Sequence, residues 1–324
     1  MPFISIIIPT HNNEEHIEQA IISCFDSDFD DFEIIVINDA STDSTVAKLE
    51  LLADKYKDKI KINHSKSNIG PGPARNIGLE QAKGGYIMFL DGDDWFEPDA
   101  VKIVAEKLKK VEPDVLMFNH QRVWENGIKV PNLPNRHVNI DYSELDISHP
   151  QNKAELIRNI YVPWNKAYKN SFVKKVEAHF PEGLYEDIYW SISLIIKAEK
   201  AHYISNLITN YRQRNGSITR SSSPRHTDLI EQYQIVKKYL ISVPEHSENY
   251  GRKIYESCRA QIFGAIRVGY RLPKDLEKQF MTSSYKLLRD WKKELKIKDI
   301  DPMLISLRLK NKILFTALIK LLLK

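Results

Sequence analysis

Three carboxylates stand close together at the end of an apolar run in the chain. Residues 86–90 are apolar, and Asp91, Asp93 and Asp94 follow at once. An apolar run bounded by turn residues predicts a short strand buried on both faces. Like charges at its exit repel each other unless a cation or hydrogen-bond donors compensate them. Carboxylate oxygens suit Mg²⁺ or Mn²⁺, which also bind nucleotide phosphates. A solvated acidic turn is the alternative.

Two further apolar runs, residues 3–9 and 33–38, are each followed by a polar turn. A helical period follows each turn, over residues 14–25 and 45–56. Strands that alternate with helices predict an α/β fold with a largely parallel sheet. Because ligands bind beyond the carboxyl ends of such strands, we expect the three turns to meet at one binding edge.

Four motifs in this order resemble those of the family 2 inverting glycosyltransferases, which use nucleotide sugars and have the GT-A fold. They occupy residues 5–12, 36–43, 68–76 and 89–94. One such motif is weak evidence, but four in sequence form a specific signature. The resemblance, which weakens after about residue 220, is to enzymes of bacterial capsule, lipooligosaccharide or wall-polymer synthesis. It implies a Rossmann-like, mostly parallel sheet flanked by helices, and we expect a helical C-terminal region beyond it.

The resemblance implies that the first two turns hold the nucleotide. Pro9, Thr10 and Glu14 would contact the base and ribose, and Asp39 would accept a hydrogen bond from the base. A carboxylate acceptor suits the N3 donor of uracil, which favours a UDP-sugar. Asp39 has an alternative role as a cap of the next helix, and we expect such a capping role for Asp43.

The resemblance also implies roles for Arg75 and the acidic turn. Arg75 would contact the base or a phosphate, with an ion pair to a neighbouring acid as the alternative. Asp91 would contact the ribose hydroxyls, and Asp93 would bind Mn²⁺ or Mg²⁺ on the donor diphosphate. Gly92 stands where serine is commoner, a change expected to add backbone freedom and to preserve metal binding. Asp94 would orient the turn or hold a metal-bound water.

An acidic pair, Glu186 and Asp187, lies just ahead of a helical pattern over residues 188–198. An inverting transfer needs a base that takes the proton of the acceptor hydroxyl, and the resemblance implies that Asp187 is this base. Acids at a helix N-terminus also stabilise the helix dipole by about 0.3–1 kcal/mol. That role is the alternative to catalysis, and it applies most to Glu186.

Two segments on either side of this pair have the composition of acceptor or diphosphate elements. Trp164 offers a ring that stacks on a sugar, and Lys166 lies beside it, although a tryptophan is often simply core. Residues 211–220 form a basic, hydroxyl-rich stretch typical of a lid on a diphosphate, with a solvated linker as the alternative. Its candidate contacts are Arg212, Arg214, Ser217 and Thr219. His226 is a weaker candidate for a further metal ligand.

Length and composition agree with this interpretation. The 324 residues accommodate a catalytic domain, predicted over residues 1–226, and a helical region over residues 227–324. Cys24 and Cys258 are expected to be reduced, buried thiols of a cytoplasmic protein. We expect no signal peptide and no membrane span. The net charge of +4 is too modest to predict nucleic-acid binding.

Residues 303–324 form a basic amphipathic pattern with leucines on one face. Such a helix is suited to an anionic membrane surface, which would place the protein at the inner face of the cell membrane beside a lipid-linked glycan. Packing on the helix's own domain, or on a second subunit of a homo-oligomer, is the alternative.

The sequence therefore predicts a hexosyl- or N-acetylhexosaminyltransferase that moves a sugar from a nucleotide-sugar donor to a hydroxyl of a surface glycan. A sugar-nucleotide nucleotidyltransferase is one alternative, but it would be expected to open with a Gly-rich basic loop, which residues 9–12 do not supply. A non-catalytic glycan-binding or scaffold protein on the same fold is the other alternative. The presence of Asp93 and Asp187 argues against it.

Overall fold

The computed structural model describes residues 1–132, 144–157, 161–214, 221–268 and 271–299, together with Asp301, Met303, Leu304 and Leu307. Of the predicted site residues, Ser217 and Thr219 lie outside the described residues. Most of the segment 303–324 lies outside them too, so its membrane contact stays a prediction.

The first ninety residues form the parallel half of one sheet. Its strands are β1 (Ile4–Thr10), β2 (Phe32–Asn38), β3 (Ile60–His64) and β4 (Tyr86–Phe89). They lie in the order β3-β2-β1-β4, and every neighbouring pair is parallel. The crossovers contain helices α1 (Ile17–Ser23), α2 (Thr45–Lys55) and α3 (Pro71–Gln81). The predicted parallel sheet is therefore confirmed, and its carboxyl ends face one edge.

The sheet continues as a mixed half that the sequence analysis did not predict. Its strands are β5 (Trp95–Phe96), β6 (Val115–Trp124), β7 (Lys129–Asn132), β8 (Glu144–Asp146), β9 (Lys166–Lys169) and β10 (Ala201–Gln213). After β4 the order is β9-β6-β10-β5, with β7 paired to β6 and β8 paired to β10. Strand β9 is antiparallel to both of its neighbours, whereas β6 and β10 are parallel. This arrangement places the end of β10 beside the acidic turn after β4.

Helices cover both faces of the sheet. The remaining ones are α4 (Ala100–Val111), α5 (Pro150–Ile157), α6 (Asn170–Lys175), α7 (Asp187–Lys197), α8 (Asp228–Ser242), α9 (Pro244–Arg267) and α10 (Lys274–Glu294). The predicted helical C-terminal region is thus confirmed. One hydrophobic cluster runs from Ile7 and Phe89 of the sheet through Trp190 to Trp291 of α10. The helices after residue 226 share this core, and the domain boundary proposed there remains a prediction.

Several sequence predictions concern the core and the termini. Cys24 and Cys258 are buried and unpaired, as predicted. Met303 and Leu307 are buried in the shared core, so the start of the basic C-terminal segment packs on the protein itself. Within the described ranges, no helix combines the length and the apolar character needed to cross a membrane.

Candidate active site

The carboxyl ends of β1, β2 and β4 border a cavity of about 460 Å³. Segments far apart in sequence meet here, because parallel strands bring their C-terminal turns to one edge. The cavity also receives the start of α7 and the end of β10. The predicted site residues that line it are Pro9, Thr10, Asp39, Arg75, Asp91, Gly92, Asp93, Trp164, Glu186, Asp187 and Arg214.

Glu14, which was predicted to contact the nucleotide, is not among the residues that line the cavity. Its carboxylate accepts a hydrogen bond from the backbone N–H of Ser44 at 2.9 Å. Asp43 accepts hydrogen bonds from the N–H groups of Glu14 and Thr45 at 3.1 and 3.0 Å. The capping role predicted for Asp43 is therefore confirmed. Glu14 binds the first turn to the second instead of facing the ligand space.

Asp39 fixes the loop that leads into α3. Its two carboxylate oxygens accept hydrogen bonds from the N–H groups of Ile69 and Gly70, both at 2.8 Å. The alternative role as a cap of α2 is therefore wrong. An ionised carboxylate has about four acceptor positions, so two bonds leave room for a hydrogen bond from a base. Gly70 has φ of +88°, a conformation that favours glycine.

Arg75 is a buried cation shared by two acids. Its Nη2 lies 2.6 Å from Asp91 Oδ1, and its Nη1 lies 2.7 Å from Glu186 Oε1. The ion-pair alternative for Arg75 is thus confirmed. A Cβ on Gly72 would lie 2.8 Å from Glu186 Cγ, so this glycine allows α3 to approach the acidic pair. Arg75 therefore joins the turn after β4 to the segment that carries Asp187.

The acidic turn is held against the end of β10. Arg212 donates from its backbone N–H to Asp94 Oδ1 at 2.8 Å and from Nε to the carbonyl oxygen of Asp93 at 2.7 Å. Its guanidinium lies over the ring of Trp95, 4.5 Å from the centroid. Burial, followed by the nearby charges of Asp93 and Asp91, raises the pKa of Asp94 well above its usual range. Arg212 does not line the cavity, so it anchors the turn rather than the predicted diphosphate.

Gly92 is required for space rather than for backbone freedom. A Cβ at this position would lie 2.6 Å from Thr10 Oγ1 and 2.9 Å from Asn13 Nδ2. A serine here would force Thr10 or Asn13 to move. The expectation was that the exchange from serine adds backbone freedom and preserves metal binding; the close approach of Thr10 and Asn13 adds a steric reason for glycine.

Asp93 is the carboxylate that suits a metal ion. It lines the cavity, its side chain is 23% exposed, and Arg214 Nη2 lies 2.9 Å from its Oδ2. The described residues contain no cluster of three His, Cys, Asp or Glu side chains able to hold a metal. Mg²⁺ or Mn²⁺ commonly uses one or two carboxylates, with phosphate oxygens and waters completing the shell. Asp93 is one carboxylate of the kind that such a shell uses.

His226 is not available as a further ligand. It is fully buried, with Nδ1 2.7 Å from the hydroxyl of Tyr185 and Nε2 2.9 Å from the carbonyl oxygen of Ser221. Both ring nitrogens are therefore engaged. The weak prediction of a metal ligand at His226 is wrong.

Asp187 is the first residue of α7 and lines the cavity. Burial, followed by the neighbouring charge of Glu186, raises its pKa to about 8. Arg75 and Lys166 oppose this shift because their positive charges favour the carboxylate. A carboxylate with a pKa close to neutral is a stronger proton acceptor than an ordinary aspartate.

The loop before Asp187 is attached to the C-terminal helices. The N–H of Leu184 donates to Asp228 Oδ2 at 2.9 Å, and Gln232 Nε2 donates to the carbonyl oxygen of Glu182 at 2.7 Å. Asp228 and Gln232 both belong to α8. Gly183 has φ of +96°, which lets the loop turn towards this helix. Helix α8 thus determines where Asp187 lies.

Trp164 and Lys166 take different positions. Trp164 is 3% exposed yet lines the cavity, and its ring packs edge-on against His120 at 4.7 Å. Lys166 is fully buried and does not line the cavity. Its Nζ donates to the carbonyl oxygen of Val162 at 2.6 Å and to Asn165 Oδ1 at 2.8 Å, and burial lowers its pKa to about 7. Lys166 therefore supports the turn at Trp164 from behind, in place of the predicted acceptor contact.

Comparison with known proteins agrees with this geometry. The family model for glycosyl transferase family 2 matches residues 5–176. The chain belongs to this family. A relative, an uncharacterized glycosyltransferase of Haemophilus influenzae, is 43% identical over 120 residues, which cover 37% of this chain and 44% of the relative. The poly(ribitol-phosphate) beta-N-acetylglucosaminyltransferase TarS of Staphylococcus aureus is 26% identical over 284 residues, 85% of this chain and 47% of TarS. The chain thus spans less than half the length of these two relatives.

Solved structures of other glycosyltransferases share the fold. The crystal structure of S. aureus TarS 1–349 in complex with UDP-GlcNAc matches with a TM-score of 0.76 and 20% identity, over 97% of this chain and 89% of that one. A mannosyltransferase of Pyrobaculum calidifontis in complex with GDP-Man and Mn²⁺ matches with a TM-score of 0.51 and 16% identity, over 96% and 87%. The fold is therefore GT-A, as expected from the motifs.

Sequence analysis of this family 2 chain missed several residues that line the cavity. They include Asn13, Asn68, Tyr185, Tyr211 and Arg225. Asn68 and Tyr185 lie inside segments that the motifs had identified, so adjacency was a usable signal for them. Arg225 follows the basic stretch 211–220 by five positions and belongs to none of the motifs.

Proposed function

We propose that the protein is a metal-dependent inverting glycosyltransferase that transfers a sugar from a UDP-sugar to a hydroxyl of a bacterial surface glycan. One observation carries the proposal. A single cavity is lined by Asp39 and Asp93, the candidate nucleotide and metal residues, and by Asp187, a carboxylate whose pKa is raised to about 8. Family membership and the UDP-GlcNAc complex of the structurally similar TarS support this interpretation.

The donor and acceptor classes follow from the relatives. TarS is named as a poly(ribitol-phosphate) N-acetylglucosaminyltransferase, and a Bacillus spizizenii relative as a poly(ribitol-phosphate) glucosyltransferase. We propose UDP-GlcNAc and UDP-glucose as the first donors to test, and a polyol-phosphate wall polymer as the first acceptor. Synthesis of such a polymer places the active protein in the cytoplasm, at the inner face of the membrane.

In the proposed reaction, an acceptor hydroxyl attacks the anomeric carbon of the donor as the bond to the diphosphate breaks. Asp187 takes the hydroxyl proton, and UDP leaves towards Asp93 and Arg214. A divalent cation held by Asp93 would neutralise part of the charge on the diphosphate. The ion pairs of Arg75 connect the acidic turn to Glu186, the residue before Asp187. They thereby hold the candidate metal ligand and the candidate base in a fixed relative position.

A calorimetric and thermal-shift screen tests the proposal. The purified protein is titrated with UDP-, GDP-, CDP- and dTDP-sugars, each with Mn²⁺, Mg²⁺ or a chelator. Because a ligand that binds the native state stabilises it according to its concentration over Kd, the preferred nucleotide stands out. We expect a metal-dependent response to UDP-sugars, followed by release of UDP when a polymer acceptor is added. Nucleotide binding without hydrolysis or transfer would favour a scaffold protein instead.

A further inference from the structure

Three arginines line the cavity, and their surroundings differ. Arg75 is shared between two carboxylates, and Arg214 is paired with Asp93. Arg225 is exposed, and no carboxylate of the described residues forms an ion pair with it. The cavity therefore contains one guanidinium whose charge is not compensated by a neighbouring acid.

Arg225 lies at the nucleotide end of the cavity. Its Nη2 is 3.5 Å from the position that a Cβ would occupy on Gly70. The N–H of Gly70 donates to Asp39, the candidate base-binding carboxylate, and α3 begins at the next residue. The side chain thus extends from the C-terminal region to the segment between β3 and α3, which is hydrogen-bonded to Asp39 after β2. The positive end of the α3 dipole points to the same place and adds to the preference for an anion.

The backbone around Arg225 is fixed. Residues 224–227 form a 3₁₀ turn in which the N–H of Arg225 donates to Ser223 Oγ at 3.2 Å. The neighbouring His226 is buried and hydrogen-bonded to the hydroxyl of Tyr185. Tyr185 has φ of +69°, a costly conformation for a residue with a side chain. This anchoring holds the base of the Arg225 side chain at the cavity wall.

We propose that Arg225 binds a phosphate of the donor nucleotide. The inference rests on the proposed function, because it assumes that the cavity takes a nucleoside diphosphate. A planar guanidinium offers paired donors that match phosphate oxygens, and such charge-assisted bonds are among the stronger ones in proteins. Arg75 and Arg214 are already engaged by acids, so Arg225 is the cavity-lining guanidinium whose donors no carboxylate of the described residues occupies. The donor is then held from both the N-terminal strands and the C-terminal region.

Calorimetric titration of three ligands tests this role. Wild type, Arg225→Ala and Arg225→Lys are each titrated with UDP, UMP and uridine in the presence of Mn²⁺. The control is Arg267→Ala, which removes an equal charge from the exposed end of α9. Because one charge-assisted hydrogen bond is lost, we expect Arg225→Ala to bind UDP about tenfold more weakly or worse. Uridine binding should not change, and lysine should restore part of the UDP affinity.

Two results would overturn the inference. One is an unchanged affinity of Arg225→Ala for UDP and UMP. The other is an equal weakening of uridine, which would move the contact from the phosphate to the base. Failure of the wild type itself to bind UDP would instead overturn the proposed function. Since Arg225 is exposed, the thermal unfolding of the alanine variant should match that of the wild type, which separates a binding defect from a folding defect.

Discussion

The carboxylates in the turns after the parallel strands and the carboxylate at the start of α7 differ in how far neighbouring groups compensate their charge. On the nucleotide side, Asp39 accepts two backbone hydrogen bonds, Asp91 is paired with Arg75, and Asp93 is paired with Arg214. At the start of α7, Asp187 lines the cavity next to the buried Glu186, and its pKa is raised to about 8. The first set is compensated before any ligand binds. At Asp187, neighbouring positive charges only partly offset the effect of burial on the pKa. A raised pKa of this kind is expected of a group that transfers protons.

Removal of the candidate base gives the largest expected effect. Asp187→Asn keeps the shape of the side chain but removes the proton acceptor, so transfer should fall by about a hundredfold to ten-thousandfold. UDP binding should be unchanged, because Asp187 belongs to α7 and not to the turns after β1, β2 and β4. Steady-state transfer assays and UDP titration measure the two quantities. Glu182→Gln, an exposed acid of the same loop, is the matched control and should be fully active. Normal transfer by Asp187→Asn would contradict the assignment.

Substitution in the acidic turn after β4 should change the affinity for the UDP-sugar more than the rate of transfer. Asp93→Asn removes the charge that would hold a metal ion, so the affinity for a UDP-sugar with Mn²⁺ should fall by at least about tenfold, or 1.4 kcal/mol. With a chelator present, wild type and variant should bind alike. Calorimetry in both buffers provides the measurement. The control is Asp99→Asn, which alters an exposed acid a few residues later. Equal metal dependence in wild type and Asp93→Asn would show that the cation binds elsewhere.

The pH dependence of transfer should report Asp187. A base acts only when it is deprotonated, so kcat/KM should rise about tenfold per pH unit below pH 8 and level off above it. The positive charge of Lys166 lowers the pKa of Asp187. Because burial lowers the pKa of Lys166 to about 7, this charge acts mainly below pH 7, and Lys166→Met should move the midpoint of the profile only slightly to higher pH. A midpoint that stays in place or moves lower would show that the buried lysine has no electrostatic role at the site.

The smallest expected effect concerns stability. The pKa of Asp187 is raised in the folded protein, so the folded state binds the proton more tightly than the unfolded chain does. Its stabilising contribution is present below the ordinary aspartate pKa and is lost as the pH rises towards 8. Asp187→Asn should therefore raise the free energy of unfolding by about 0.5–2 kcal/mol at pH 8.5, and by less at pH 5. Urea denaturation at both pH values measures this difference. Destabilisation at pH 8.5 would contradict the burial argument.

Local patterns predicted the parallel half of the fold and little of the mixed half. Strands β1, β2 and β4 are continuous apolar runs, so each is visible within its own window of sequence. The predicted helix over residues 14–25 spans only Ile17–Ser23, and Glu14 instead makes hydrogen bonds with Asp43 and Ser44 of the next turn. Strands β6, β9 and β10 pair across long separations, which no local period records.

The same division applies to the site. Asp39, Asp93 and Asp187 were identifiable because each lies in a motif beside a strand or helix. The pairing of Arg75 with Glu186 was not, since these two residues are 111 positions apart and meet only in the folded chain. The space requirement of Gly92 likewise depends on Thr10, which the sequence places far away. Motifs therefore indicated the candidate site residues, whereas the contacts between these residues became visible only in the folded structure.

The attachment of the loop at Asp187 to α8 has a consequence for the order of synthesis. The nucleotide turns belong to the first hundred residues, but Leu184 and Glu182 are held by Asp228 and Gln232. A chain emerging from the ribosome therefore completes its nucleotide-binding end before the candidate base has a fixed position. The loop before Asp187 is thus held by a side chain that is synthesised 44 residues after Leu184.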